Sequence, residues 1–388
     1  MSTLALGSAI RSEWGLDSDF LTVNHGSYGA TPFVVRADQD RWRKRMEAQP
    51  TRFFFLEVPG ALREAAGALA RFLSAEAEDV VFVPNATTGA NAVLRSLQLE
   101  PGDEILHASH VYNAVRNTIA YVAERAGAKV AVAEIPFPRP EAAAILKNIR
   151  QAIGKRTRIA VIDHITSPSG MVLPIEEIIQ LCHAARVPVL VDGAHGPGQV
   201  ALDLPALGAD WYVGTCHKWL CAPKGCGFLY ARSDRRAELH PVTISHGYGG
   251  GFTTEFDWTG TMDPSAYLSL PSAIGFFERL GGTALMERNR QLAAEAANLI
   301  ADALRTEVGV LPGMTRNMGL VRLPISLEAK RSEVVKVRHA LQAAGTDAPV
   351  HPVGGAMWLR LSAYAYNEIG DYRRLAELMP TVLKRLGD

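Results

Sequence analysis

Two stretches decide the fold: Val187-Pro-Val-Leu-Val-Asp192-Gly-Ala-His195, and Trp211-Tyr-Val-Gly-Thr-Cys-His-Lys218-Trp219. Each is a short apolar run that ends on polar, reactive side chains. A run with no polar alternation is what a strand covered on both faces requires. Pro188–Asp192 and Trp211–Gly214 therefore read as buried strands. Working outward, Val80–Val83, Glu104–Leu106, Lys129–Ile135, Arg158–Asp163 and Gly227–Ala231 read the same way. Helical patterns at Ala86–Leu97, Asn117–Ala126 and Ile175–Ala185 lie between them. Strands alternating with helices predict βαβ units, hence an α/β fold with a large, mostly parallel sheet covered by helices. Right-handed crossovers gather the loop-bearing strand ends at one edge, where ligands of open α/β sheets bind. Asp192 and Lys218 then share that edge.

The pattern changes after Asp263. Ser265–Leu280 and Thr283–Leu304 read as helices, followed by a strand at Gly319–Pro324 and a helix at Arg331–Ala343. A strand at Met357–Leu361 and a helix at Tyr372–Leu386 complete a smaller α+β unit. The expected division is a large domain over 15–282 and a small one over 283–388. Residues 1–30 are expected to pack with the small domain.

Bulk composition excludes several classes. Lys plus Arg (40) equals Asp plus Glu (40), so no basic surface calls for nucleic acid or an anionic membrane. No apolar run is long enough to span a bilayer, and Met1 to Ile10 lacks the pattern of a secretory signal. Four cysteines in 388 residues fit a reduced cytoplasm rather than a disulfide framework. Cys216, Cys221 and Cys226 recur at a spacing that matches neither zinc nor iron–sulfur ligation, so no metal is expected.

The chemistry is read from the shared edge. An isolated Asp–Lys pair would be read first as a salt bridge across two loops. A lysine and a carboxylate on neighbouring loops also suit pyridoxal 5'-phosphate (PLP). Lys218 would form an aldimine, and Asp192 would keep the pyridine nitrogen protonated so that the ring accepts electrons from substrate Cα. The phosphate is an independent test. Pro84-Asn-Ala-Thr-Thr-Gly89 joins a strand to a helix start, where free N–H groups and hydroxyls bind anions. Thr87 and Thr88 fit that role, Gly89 would permit close approach, and Thr215 and His217 could add donors.

With these residues in view, Asp192-Gly-Ala-His195 followed by Cys216-His-Lys218 resembles the class V aminotransferase group of fold-type I PLP enzymes. Asn24-His-Gly-Ser-Tyr-Gly29 resembles the opening of its isopenicillin N epimerase-like branch. The resemblance implies a cofactor ring stacked by Tyr112 and a phenolic oxygen hydrogen-bonded by His195. It implies a substrate carboxylate gripped by Arg360, with Asn24 and His25 on the substrate side. It further implies a mobile loop at Gly249 to Gly251 and a homodimer, in which Thr261 reaches the phosphate of the neighbouring subunit. Related cysteine desulfurases carry a nucleophilic cysteine shortly before that arginine. Thr346 to Gly355 contains none, so a persulfide mechanism is not expected.

The expected partner is a small amino-acid substrate, attacked at Cα. The resemblance favours an epimerase or racemase, which needs a second acid; His25, His164 and Tyr28 are the candidates. The alternatives are a C–S β-lyase acting on a cysteine conjugate and an aminotransferase, each needing Lys218 alone. A non-catalytic binding protein would not need Lys218, Asp192, His195 and Arg360 together.

Overall fold

A computed structural model describes residues 5–325 and 330–386. Its centre is a seven-stranded sheet. The strands are β1 (Val80–Val83), β2 (Glu104–Ala108), β3 (Lys129–Ala133), β4 (Thr157–Asp163), β5 (Val189–Gly193), β6 (Trp211–Thr215) and β7 (Gly227–Ala231). Their order across the sheet is β1-β7-β6-β5-β4-β2-β3. All neighbours are parallel except β7, which runs antiparallel to both β1 and β6. This is the large, mostly parallel, helix-covered sheet that the sequence predicts.

The continuous apolar runs have a simple cause. Successive side chains of the strands inside the sheet enter different cores, because strand side chains alternate between faces. On β5, Val189 and Val191 join one core and Leu190 the other; on β4, Ala160 and Ile162 oppose Ile159 and Val161. Helices α1 (Phe33–Ala48) and α2 (Val58–Phe72) stand outside the sequence expectations. The amphipathic α2 buries Leu62, Ala66 and Leu69 in the first core. Helix α3 (Ala86–Ser96) follows β1, and α4 (Asn113–Ala126) follows β2. Both pack in the second core. Helix α4 starts four residues before its expected start, which places Tyr112 at its N-cap. The single helix expected over Ser265–Leu280 is two, Ser265–Leu268 and Leu270–Arg279. Pro271 explains the break: it has no N–H to continue a helix but suits a first turn.

The smaller unit hangs on α5 (Thr283–Leu304). An antiparallel sheet, order β9-β10-β8, comprises β8 (Met318–Arg322), β9 (Val350–Val353) and β10 (Ala356–Ser362). Helices α6 (Arg331–Ala343) and α7 (Ile369–Lys384) complete its core. Leu21 and Thr22 pair in parallel with Thr346 and Asp347, so the N-terminal segment adds a short strand to this unit. That pairing carries the following Asn24 and His25 toward the loops of the large sheet. Among the described residues no helix is long and apolar enough to cross a membrane.

Candidate active site

Asp192 closes β5 and Lys218 follows β6, so the topology brings both to one sheet edge. They do not form a salt bridge. Lys218 Nζ instead lies 3.2 Å from His195 Nε2. Trp219 determines that contact. Its indole N–H donates to His195 Nδ1 at 3.2 Å, and an indole can only donate. The proton of the neutral imidazole therefore sits on Nε2, facing the lysine. Burial keeps this imidazole neutral, pushing it well below its usual range, and the Lys218 charge acts in the same direction. Burial also lowers Lys218 to about 8; Arg360 adds to the shift and Asp192 opposes it. Lys218 thus gives up its proton far more readily than an ordinary lysine. Asp192 is 3% exposed, and its Oδ1 accepts the Ala194 amide at 3.0 Å.

The helix start expected to bind the phosphate is the head of α3. Asn85 caps the helix, its Oδ1 accepting the Thr88 amide at 2.9 Å and the Thr88 hydroxyl at 3.2 Å. Thr87 occupies the first turn beside it. Gly89 has a different use from the one expected. A Cβ there would stand 2.7 Å from Val213 Cγ1, so the glycine seats α3 on β6. Thr215 donates its hydroxyl to the Ala194 carbonyl at 2.6 Å, tying the β5 and β6 loops together. His217 Nδ1 is 3.1 Å from the Cys226 carbonyl, an acceptor, and burial lowers this histidine to about 4. Its Nε2 is accordingly left as an acceptor at neutral pH. Thr261 is exposed, in a loop whose neighbours Gly260 and Met262 share a groove with Thr88.

The opposite wall carries Arg360, 2% exposed on β10. Its Nη1 donates to the Ser167 carbonyl, its Nη2 is 3.4 Å from Ser27 Oγ, and its Nε has no partner. No acid pairs with it among the described residues. An uncompensated buried guanidinium is costly, and a ligand carboxylate would relieve it. Tyr112, 43% exposed, is near enough for its phenol to act on Arg360. Asn24 is one step back: its Nδ2 donates to Asp347 at 2.8 Å, and its Oδ1 accepts from Ser27. Arg338 grips the same Asp347 through two nitrogens.

His25 lies against the Lys218 backbone, stacked on Tyr364 with ring centroids 3.7 Å apart. Both ring nitrogens are engaged, by Tyr366 Oη and by the Lys218 carbonyl. His164 is buried and bonded to Tyr212 Oη, whereas Tyr28 is 67% exposed. Gly249 and Gly251 have positive φ with open space where a Cβ would be, as an adaptable loop needs. All four cysteines are buried and unpaired, and no cluster able to hold a metal occurs among the described residues. Sequence reading missed Trp219, Ser167, Ser27 and Asp163. Trp219 adjoins Lys218 in sequence, and Asp163 ends its strand just as Asp192 does, so both had a local signal.

This donor set fits PLP. It offers a buried carboxylate without a paired cation, a lysine of lowered pKa, a capped helix start for the phosphate and a buried guanidinium awaiting an acid. The model of the aminotransferase class-V family matches residues 56–368. A probable chloroplastic L-cysteine desulfhydrase of Arabidopsis thaliana is 34% identical over 95% of this chain and 84% of its own length. The isopenicillin N epimerase of Streptomyces clavuligerus is 32% identical, covering 94% of this chain and 95% of its own. Among solved structures, a cysteine desulfurase from Thermococcus onnurineus NA1 superposes with a TM-score of 0.83 at 18% identity, covering 99% of this chain and 100% of its own. The chain belongs to the class-V aminotransferase family and is a PLP-dependent enzyme.

Proposed function

We propose that this enzyme is a C–S β-lyase acting on L-cysteine or a cysteine conjugate. The observation that carries the reading is that Lys218 is poised as a base beside His195, while two of the three candidates for a second acid, His25 and His164, are held in contacts elsewhere and the third, Tyr28, is exposed. β-Elimination needs a single base; epimerisation needs a proton donor on the opposite face as well. Bound PLP supplies the electron sink at substrate Cα. Arg360 clamps the carboxylate and fixes the direction of the Cα–H bond. The Lys218 amine takes the Cα proton, and the C–S electrons leave with sulfur. His195 keeps its Nε2 proton on the lysine side, and Asp192 holds its negative charge for the pyridine nitrogen. The eliminated fragment hydrolyses to a keto acid and ammonia. The relatives named as desulfhydrases support this reading. Epimerisation is the second reading, supported by the relatives named isopenicillin N epimerase.

A panel of L-amino acids and cysteine conjugates separates the two. The lyase releases keto acid and sulfide or thiol in equal amounts. Accumulation of the D-enantiomer without keto acid, read by chiral chromatography, would establish epimerisation and reject the lyase. Consumption of an added keto acid with formation of a new amino acid would point to transamination.

We also propose a homodimer with sites completed across the interface. Two facts support it: Thr261 is exposed, and Phe55, Leu56, Val242, Ile244, Tyr248 and Met262 are apolar and exposed. Val242 and Met262 line the groove beside α3. So much exposed apolar surface is unusual unless a partner covers it. The expected result is a dimer by sedimentation, stabilised by PLP through mass action. Mixing Lys218→Ala with Thr261→Ala subunits under exchange conditions should restore PLP affinity in one site of each mixed dimer. No recovery means that Thr261 does not act across the interface.

A further inference from the structure

One buried acid has no part in the mechanism above. Asp163 ends β4 as Asp192 ends β5, and the two are Cα partners on the parallel ladder. Register partners on neighbouring strands project to the same face. Both are buried, at 2% and 3% exposure. Asp163 has no ion pair among the described residues, and its Oδ2 is buried without a hydrogen-bond partner. Two groups act on its carboxyl from neighbouring elements: Asp192 on β5 and the backbone amide of Tyr112 at the head of α4.

Two carboxyl groups side by side in a buried site cannot both ionise; the pair holds one negative charge. The surroundings decide which member carries it. Asp192 accepts the Ala194 amide and lies in the field of Lys218. Asp163 has only backbone amides to favour its charge, that of Tyr112 and its own, and no cation among the groups acting on it. The charge therefore belongs on Asp192. Burial, and then the Asp192 charge, push Asp163 well above the usual carboxylate range.

We propose that Asp163 is a positioning residue of the cofactor site: a neutral carboxylic acid that confines the pair's charge to Asp192 and braces the head of α4, where Tyr112 stands. It acts through these two residues. The proposal rests on the cofactor and not on the choice between elimination and epimerisation.

The neutral form makes a distinctive prediction, because asparagine mimics a protonated aspartate. Infrared spectroscopy of the holoenzyme at neutral pH should show the carbonyl band of a buried protonated carboxylic acid, and Asp163→Asn should remove it. The Asp163→Asn protein should keep PLP affinity within about threefold, whereas Asp163→Ala, which leaves the Tyr112 amide unanswered, should weaken it about tenfold. The proposal is overturned if the wild-type band is absent or survives in Asp163→Asn. It is equally overturned if Asp163→Asn loses PLP as severely as Asp192→Asn, or if Asp163→Ala binds PLP like wild type. Should the alanine variant not fold, the infrared band and the asparagine variant still decide.

Discussion

Lys218→Ala is expected to lower turnover by roughly a thousandfold or more, because one group supplies both the covalent anchor and the Cα base. Borohydride treatment of the wild-type holoenzyme should fix PLP to Lys218, as read by peptide mass spectrometry, and should fix nothing in the variant. Modification of Lys224 instead would reject the assignment. Lys224 is exposed in a groove with Trp14 and Arg36, its Nζ 3.4 Å from Thr31 Oγ1. Only Lys218 has the buried setting and the His195 contact. Small primary amines should partly restore turnover to Lys218→Ala, since the missing group is an amine and its cavity remains. The lowered pKa adds a test on the apoprotein. The attacking species is the free amine, so PLP capture should speed up as pH rises and level off above about 8. A lysine with its usual pKa would still be gaining rate near 10. A capture rate that continues to climb to that range would show that burial does not activate Lys218.

The fold was legible where one physical rule dominated. Runs such as Val189-Leu-Val191 feed cores on both faces of the sheet, so apolar continuity alone marked the strands. Asp192 and Lys218 were legible because strand ends of a parallel sheet face the ligand crevice. The rest depended on contacts distant in sequence. Nothing near His25 indicates that the Lys218 carbonyl and Tyr366 would occupy both its nitrogens. Asn24 meets Asp347 only because Leu21 and Thr22 join the small unit. Helix α4 was placed late because its opening turn, Asn113-Ala-Val-Arg, buries only Val115, too little apolar signal to mark a start. Asp163 was read only as the end of a strand. Its meaning lies in register with Asp192, and register between strands cannot be read from either strand alone.

Asp192→Asn should cost at least roughly a hundredfold in turnover, the scale of losing a preorganised charge in a dry site. Asparagine retains the shape, and its side-chain oxygen can still accept the Ala194 amide. It loses the anion that holds a proton on the pyridine nitrogen, so the ring should bind yet withdraw electrons weakly. Lys218 remains, and the covalent link should still form. Stability separates this loss from misfolding. Burial raises the Asp192 pKa, so the folded apoprotein holds that proton more tightly than the unfolded chain does. Such a group destabilises the fold as pH rises through its unfolded and then its folded pKa. Replacing it with a neutral amide should leave the apoprotein at least as heat-stable at neutral pH. Turnover within a few-fold of wild type would mean that Asp192 does not hold the pyridine proton.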